Sequence, residues 1–461
     1  MRFWPLIFVI ALLAGCAHFT PQPISPQQTA ADFDARSLAN ENLRAFLETN
    51  HITGDWPRRT WDLNALTYVA FYYQPALAEA RAQFAAVRAA EITAGERPNP
   101  TLSFTPTYDS TTLPPWIFTS ALDVPIETAG KRKKRIAQAV FTSDAAKWDF
   151  VSTVWQTRSK IRSALLNLYI ARENESLSAR QVLAQSNVVR LLEGQLSAGA
   201  ISGFEVTQAR VAAETAQLSH QDALAQLTQA RVQLASALGV PSHALDGVEF
   251  DFGDMQNLPV DLTDQEVRRT AILTRADVRG ALADYAASQS ALQLEIAKQY
   301  PDVHLNPGYE LDQTDNKWSL GFTVDLPVLN QNQGGIAEAK AKRAQAAAHF
   351  LSVQANAISE IDSALAGYNA ALQKSAIAKS LLANLQKQLE STRAQARLGE
   401  ADALALANAE SLYYTGVQNQ LDAQTKAQEA LGTLEDAVQS PAILSADALR
   451  VAQDPLSRNQ K

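Results

Sequence analysis

The side chains able to do chemistry are few and scattered. Histidine stands at His18, His51, His220, His243, His304 and His349. A metal site needs several imidazole, thiolate or carboxylate ligands at one point, which a sequence shows as short ligand spacings. No histidine here has a second histidine, cysteine or suitable carboxylate at such a spacing. Met1 and Met255 are the only methionines, so there is no thioether relay for soft cations. No Gly-rich phosphate loop, GxSxG elbow or pair of catalytic carboxylates stands out. The chain therefore reads as a non-enzyme with no cofactor and no metal site. Any energy or substrate choice must come from partners.

Cys16, the sole cysteine, is the exception. It follows Arg2, an apolar run of about a dozen residues and Leu13-Ala14-Gly15. Such a run is too short to cross a bilayer, which takes roughly 20 residues, so residues 1–15 read as a signal peptide. Leu-Ala-Gly-Cys resembles the bacterial lipobox, whose cysteine receives a diacylglyceryl thioether before the peptide is cut; the alternative is an ordinary signal peptide with a chance cysteine. A lone cysteine cannot form an intramolecular disulfide. Ala17 follows where lipoproteins held at the inner membrane usually carry Asp, which favours the outer membrane. The Pro/Gln-rich stretch "TPQPISPQQTAADF" reads as a tether within an N-terminal segment, residues 16–59.

The composition, 46% hydrophobic and 19% charged, is globular. A net charge of −8 with dispersed Lys and Arg argues against nucleic acid as a partner.

The elements that carry these residues occur twice. Gln74-Pro75-Ala76-Leu77 aligns with Arg275-Ala276-Asp277-Val278, and the same offset of 201 holds for Pro100/Pro301, Pro106/Pro307 and Tyr108/Tyr309. The offset is 202 for Trp116/Trp318 and Asp123/Asp325, then 200 for Gly199/Gly399. A repeat this long means two copies of one large module rather than a solenoid. The copies read as residues 60–245 and 264–438, with a linker at 246–263 and a tail at 439–461. Each runs helix, strand, strand, helix, helix, so the fold is mainly α with a small β part.

Period-two alternation places strands at about 101–109, 116–127, 302–311 and 318–329. Trp116, Phe118, Leu122 and Val124, with Trp318, Leu320, Phe322, Val324 and Leu326, fall on apolar faces. Thr119, Asp123, His304, Asn306, Thr323 and Asp325 fall on polar ones. The helices are marked by the absence of proline from Ile126 to Val240 and from Val328 to Ser440. One seam runs Ala209, Ala213, Ala216, His220, Ala223, and its copy runs Ala409, Tyr413, Gly416, Gln420, Ala423. Spacings of four and three mean coiled-coil packing. The preceding helix, roughly Arg132 to Leu196, would be about 100 Å long. Its reversals fall at Gly199 and Gly203 and at Gly399.

An apolar-out, polar-in strand of about 10 residues is the unit of an outer-membrane barrel; a soluble antiparallel sheet packed on helices is the alternative. Trp116, Trp318, Tyr108 and Tyr309 lie where an aromatic girdle would. Four strands cannot close a barrel, and open edges are not tolerated in lipid, so a barrel would be shared among chains.

The duplicated halves, with "QPALAEARAQ", "RADVRGALAD", "YPDVHLNPGY", "WSLGFTVDLPVLN" and "LGEADALALANAESLYY", resemble the TolC-type outer membrane efflux protein family over roughly residues 60 to 438. The resemblance implies a homotrimeric lipoprotein in which a 12-stranded β-barrel in outer membrane lipid continues into a trimeric α-barrel crossing the periplasm. It also implies a periplasmic adaptor and an inner-membrane pump, of the resistance-nodulation-division or another class, as partners. Ser110–Pro115 and Asp312–Lys317 become extracellular loops. "ETAGKR" is similar to the CzcC-like heavy-metal branch, which suggests divalent cations as cargo; multidrug or protein export is the alternative within the family, and a non-conducting envelope scaffold the alternative outside it.

At the barrel junction, Glu127, Gly130, Lys131 and Arg132 stand ready to meet lipid phosphates, to brace the junction, or simply to form a solvated turn. At the periplasmic tip, where the family meets its adaptor, Gly199, Gly203 and Gly399 make the reversals. Arg393 and Arg397, with Glu193, Glu390, Glu400 and Asp402, are candidates for inter-helix bonds that hold the tip shut; solvated tip charges are the alternative for most of them.

Overall fold

Proline and glycine mark where the chain must break, and the breaks fall in the same order twice. The computed structural model describes residues 19–259 and 265–440. Cys16, the signal segment and the tail beyond Ser440 lie outside the described residues. The first elements are α1 (Pro26–Asp34), α2 (Glu41–Thr49), β1 (Thr60–Trp61) and α3 (Leu63–Tyr73). The first repeat continues with α4 (Pro75–Gly95), β2 (Thr101–Tyr108), β3 (Trp116–Ile126), α5 (Lys131–Ser197) and α6 (Gly203–Leu238). Two short elements, β4 (Glu249–Phe250) and α7 (Gly253–Gln256), lead to α8 (Gln265–Thr274). The second repeat is α9 (Ala276–Ala297), β5 (Val303–Asp312), β6 (Asp315–Val324), α10 (Gln333–Leu398) and α11 (Ala403–Val438).

The tether expectation needs correction. Ser25 accepts a hydrogen bond from the Gln28 N–H and Pro26 supplies the first-turn φ, so half of that stretch is helix α1. Beyond it the chain packs rather than dangles, with Leu38, Leu43 and Leu47 in the main core. Arg36 donates to the carbonyls of Tyr73 at 2.9 Å and Gly239 at 2.6 Å, satisfying the C-terminal ends of two helices at once.

The long helices match in length: α5 has 67 residues and α10 has 66, while α6 and α11 have 36 each. At 1.5 Å per residue α5 is about 100 Å long. The seam from Ala209 to Leu234 is the packed side of α6, and the seam from Ala409 to Leu434 is the packed side of α11. His220 fits its seam by bonding Ser178 of α5 at 3.1 Å. Ser178 spends its own proton on the Glu175 carbonyl, so His220 Nδ1 is the donor.

The core is a belt partway along these helices. Leu43, Trp61 and Leu66 pack on Ile161, Leu165, Leu234 and Leu238, and the second repeat builds a smaller cluster from Ile361, Tyr368, Leu431 and Leu434. The repeats are joined there by a buried polar network between α5 and α11. Arg158 and Glu435, each with a side chain only 2% exposed, pair at 3.0 Å, and Arg162 reaches the same carboxylate at 3.3 Å. Arg162 also bonds the Gln428 backbone and side chain, while Asp436 accepts from Trp155 at 2.8 Å and Ser159 at 2.6 Å. Burial pushes the Asp436 carboxyl up. Gln428 donates to the Met255 and Asn257 carbonyls, pinning the inter-repeat segment to the same level.

At one end, β2, β3, β5 and β6 form one antiparallel sheet in that order. β3 pairs with β5, so the two halves meet inside the sheet, and β2 and β6 are left as edges.

Candidate functional site

The pairing register sorts the sheet residues onto two faces. Leu102 opposes Leu122, Tyr108 opposes Trp116, Val124 opposes Leu305, Leu305 opposes Phe322, and Tyr309 opposes Trp318. Trp116, Phe118, Leu122, Val124, Trp318, Leu320, Phe322 and Val324 therefore share one apolar face across all four strands. At its turn end the rings meet in pairs, Tyr108 with Trp116 at 5.2 Å and Tyr309 with Trp318 at 4.8 Å between centroids. These are the repeated aromatic positions, now side by side.

The other face is polar. Thr101 opposes Asp123, Thr119 opposes Glu310, His304 opposes Thr323 and Glu310 opposes Lys317. His304 Nδ1 lies 2.9 Å from Asp123 Oδ1, and the Asn306 amide donates to Thr323 at 2.8 Å. Toward the turn Lys317 bonds Asp312 at 2.5 Å and Glu310 at 3.4 Å. Four carboxylates, Asp123, Glu310, Asp312 and Asp315, thus share this face with one lysine.

Asp325 and Leu326 depart from expectation, because β6 ends at Val324. Its last rung pairs Val324 with Val303, and just before Val303 the Pro301 carbonyl accepts from the Thr128 hydroxyl rather than from β6. The chain bends away instead, with the Val328 N–H bonded to the Leu326 carbonyl and Pro327 unable to donate to a ladder. The loop expected at Asp312–Lys317 is also corrected: Asp312 pairs with Asp315, leaving a two-residue turn in which Gln313 adopts φ 58°. β5 correspondingly runs from Val303 to Asp312.

The basic turn is a brace. Gly130, at φ 66°, caps α5 in the left-handed conformation. Lys131 is buried and pairs with Asp302 at 2.8 Å, and the Thr128 N–H donates to the same oxygen at 2.8 Å. Arg132 donates to the Gly95 carbonyl at 2.6 Å, and Glu127 holds Arg135 at 2.6 Å. Burial pushes the Asp302 carboxyl up, but the hydrogen bonds from Lys131 and Thr128 outweigh it and hold it below the ordinary Asp range. These side chains therefore tie the end of β3 to α4 and to the start of β5. Lys133 points to solvent.

At the opposite end of the molecule Gly199 and Gly399 adopt φ 71° and 75°, ending α5 and α10. Gly203 is the first residue of α6, after a capping box of Ser202 and Glu205. Arg393 is already engaged, bonding Glu410 across its own hairpin at 2.9 Å. Glu193 likewise bonds Arg210 at 2.5 Å. Asp402 caps α11 and Glu390 accepts from Gln386. Arg397 is exposed in the last turn of α10.

Reading the sequence alone missed the Arg158–Arg162–Glu435 network and the Asp302 partner of Lys131. The hairpin bridges had a visible signal: residues 193 and 393, and 210 and 410, are repeat equivalents with opposite charges exchanged. Among the described residues no cluster of three or more His, Cys, Asp and Glu could hold a metal, and no helix is long and apolar enough to cross a membrane.

A sheet with one apolar and one polar face, open at both edges and carried on two hairpins about 100 Å long, is the subunit fold of TolC-like channels, which join a β-barrel to an α-barrel. The chain belongs to the outer membrane efflux protein family, whose profile matches residues 69–240 and again residues 267–438. It is similar to the cobalt-zinc-cadmium resistance protein CzcC of Cupriavidus metallidurans, 25% identical over 221 residues, which cover 47% of this chain and 52% of that protein. It is also similar to the pyoverdine export outer membrane protein OpmQ of Pseudomonas aeruginosa, 24% identical over 219 residues, or 44% of each. The chain spans about half the length of these curated relatives. The outer membrane protein VceC of Vibrio cholerae shares the fold, with a TM-score of 0.68 at 19% identity over 82% of this chain and 96% of that one.

Proposed function

We propose that this protein is the outer membrane channel of a tripartite efflux system, a passive exit duct for divalent metal cations. The observation that carries the duct is the two-faced sheet with open edges. Four strands from each of three copies give a twelve-stranded barrel with its apolar face in lipid, its polar face around water, and no edge left exposed. Trp116, Phe118, Leu320 and Phe322 then face lipid, while Thr119, Asp123, His304, Asn306 and Thr323 line the lumen. The helices carry the duct across the periplasm to an adaptor and an inner-membrane pump, with Cys16 anchoring the N-terminus by lipid.

The metal assignment is supported by the likeness to CzcC and by "ETAGKR". The likeness to OpmQ, a pyoverdine export protein, supports a second reading, export of an organic compound of that kind. A duct needs no tight site in either case, since a tightly held ion would leave slowly. Deletion of the gene followed by growth on zinc, cobalt or cadmium separates the readings. Metal sensitivity is expected; unchanged tolerance with lost export of an organic compound would overturn the metal assignment and leave the duct.

A further inference from the structure

The long helices form a layer in the order α6, α5, α11, α10, since α6 packs on α5, α5 on α11 and α11 on α10. Each half is a hairpin, and the halves meet where α5 of the first lies against α11 of the second. The duplication makes α10 the counterpart of α5 and α6 the counterpart of α11. The reciprocal contact, α10 against α6, is impossible within one chain because these helices stand at opposite edges of the layer. A second copy can supply it.

Both edge helices are dressed for such a contact. The buried seam of α6 faces α5, and on the opposite side Phe204, Val211, Leu218, Ala225 and Val232 recur at every seventh residue, all exposed. Phe204 is 75% exposed and Leu218 68%. A two-helix hairpin leaves that position to water, so large apolar residues repeating there call for a covering helix. On α10 a second stripe, spaced three and four apart, runs through Gly367, Ala370, Lys374, Ile377, Leu381 and Asn384, again all exposed. Lys374 is its only charge. Among the residues interleaved with the α6 stripe, Gln208, Thr215, Asp222 and Gln229, only Asp222 is charged.

The internal contact sets the register. Asn174 of α5 meets Gln418 of α11 at 3.2 Å, and Gln418 also bonds Asp422 at 3.0 Å. Moving each by the repeat offset, 174 + 200 and 418 − 200, pairs Lys374 with Leu218 and sets it beside Asp222, the counterpart of Asp422. Neither Lys374 nor Asp222 pairs with a charge among the described residues of its own chain. We infer that α10 of one copy packs on α6 of the next, with Lys374 lying over Leu218 and paired with Asp222 of the neighbour.

The contact is head-to-tail, each copy offering a different edge, so copies add until the ring closes. The trimer of the proposed function is such a ring, and the inference rests on that reading for the number of copies only. The ion pair is the sole opposite-charge match along otherwise uncharged seams, so it selects the register, and the apolar positions supply the adhesion.

The test uses the full chain in isolated membranes, where the expected lipid occupies Cys16. Leu218→Cys with Lys374→Cys should oxidise to a ladder ending at the trimer, whereas Leu218→Cys with Gln388→Cys, 14 residues and about 21 Å off register, should not. Asp222→Lys or Lys374→Asp alone should weaken the seam's equilibrium constant roughly tenfold, about 1.4 kcal/mol, read as dissociation at lower detergent concentration, and the double exchange should restore it. A double-cysteine variant that assembles as the wild type does but fails to link positions 218 and 374, or a double exchange that restores nothing, overturns the seam and leaves the duct intact. A linked particle of another size keeps the seam and overturns the trimer.

Discussion

Phe322 stands in β6 midway between Trp318, toward the turn end of the sheet, and Leu326, just past its last rung. It is 76% exposed in the single chain and faces Leu305 across the ladder. Thr323 points the other way, opposite His304, and accepts a hydrogen bond from Asn306 at 2.8 Å. With the apolar face in hydrocarbon, Phe322→Arg puts a guanidinium near the bilayer midplane, at a cost of about 2 to 4 kcal/mol per protomer. At a factor of ten per 1.4 kcal/mol, the unassembled fraction rises roughly 30- to 1,000-fold. Thr323→Arg keeps its charge in water and gives up one exposed hydrogen bond, about 1 kcal/mol. The assay is the fraction of protein that resists urea extraction from outer membranes and migrates as an oligomer before heating. Phe322→Arg should abolish that fraction and Thr323→Arg should preserve most of it. Phe322→Leu, which keeps the surface apolar, separates the effect of charge from lost aromatic packing. Equal loss at 322 and 323, or greater loss at 323, would refute the assignment of faces.

Gly239 combines φ 77° with a backbone wall: a Cβ there would sit 3.0 Å from the Tyr73 carbonyl oxygen and 3.1 Å from Gln74 Cα. Gly247 has φ 73° and nothing within 4 Å, so Gly247→Ala carries only the left-handed strain of about 1–2 kcal/mol. Gly239→Ala should therefore lower the thermal unfolding midpoint further than Gly247→Ala, and equal midpoints would contradict the close approach. The depressed Asp302 carboxyl stabilises the junction fully above its unfolded value near about 3.9, and that contribution fades as pH falls through the lower folded value. Asp302→Asn should weaken the junction at neutral pH and flatten the loss of stability below about pH 4; an unchanged acid slope, followed by tryptophan fluorescence, would remove Asp302 from that role.

The helices were legible because their determinants are local. Absence of proline and the glycine reversal at Gly199 place α5 at about 132–196, and the observed helix, Lys131–Ser197, differs by one residue at each end. The faces of the sheet follow equally from alternation, which pairing only has to bring into register. The ends of the strands do not. Apolar alternation continues through Leu326 and Val328, yet pairing stops at Val324: Pro327 and Pro301 have no N–H to give a ladder, and the Pro301 carbonyl accepts instead from the Thr128 hydroxyl, 173 residues away. Asp312–Lys317 is polar and reads as a loop, but its charges close on one another across a tight turn. The Arg158–Glu435 pair was invisible for the same reason: its members are 277 residues apart, and nothing local to either announces the other.

The exchanged charges at the helix tip narrow what can hold a closed end together. Had both hairpins carried glutamate at the 193/393 level and arginine at the 210/410 level, the repeat would simply have copied one bridge. Instead the signs are reversed and both bridges survive, Arg210 with Glu193 and Arg393 with Glu410. Each hairpin is thus closed on itself, and preserving its own bridge is the constraint that both halves satisfy. Moving Arg393 Nη2 from Glu410 to a neighbour would trade one charge-assisted bond for another. Asp402 is bound in the same way to the first turn of α11, and Glu390 to its own helix. Arg397 and Glu400 alone among the six candidate charges make no side-chain bond to a described residue, and both are exposed beside Gly399. Of the six candidates, Arg397 and Glu400 are therefore the two left free to meet another hairpin, whereas Arg393, which looked equivalent in the sequence, is engaged within its own.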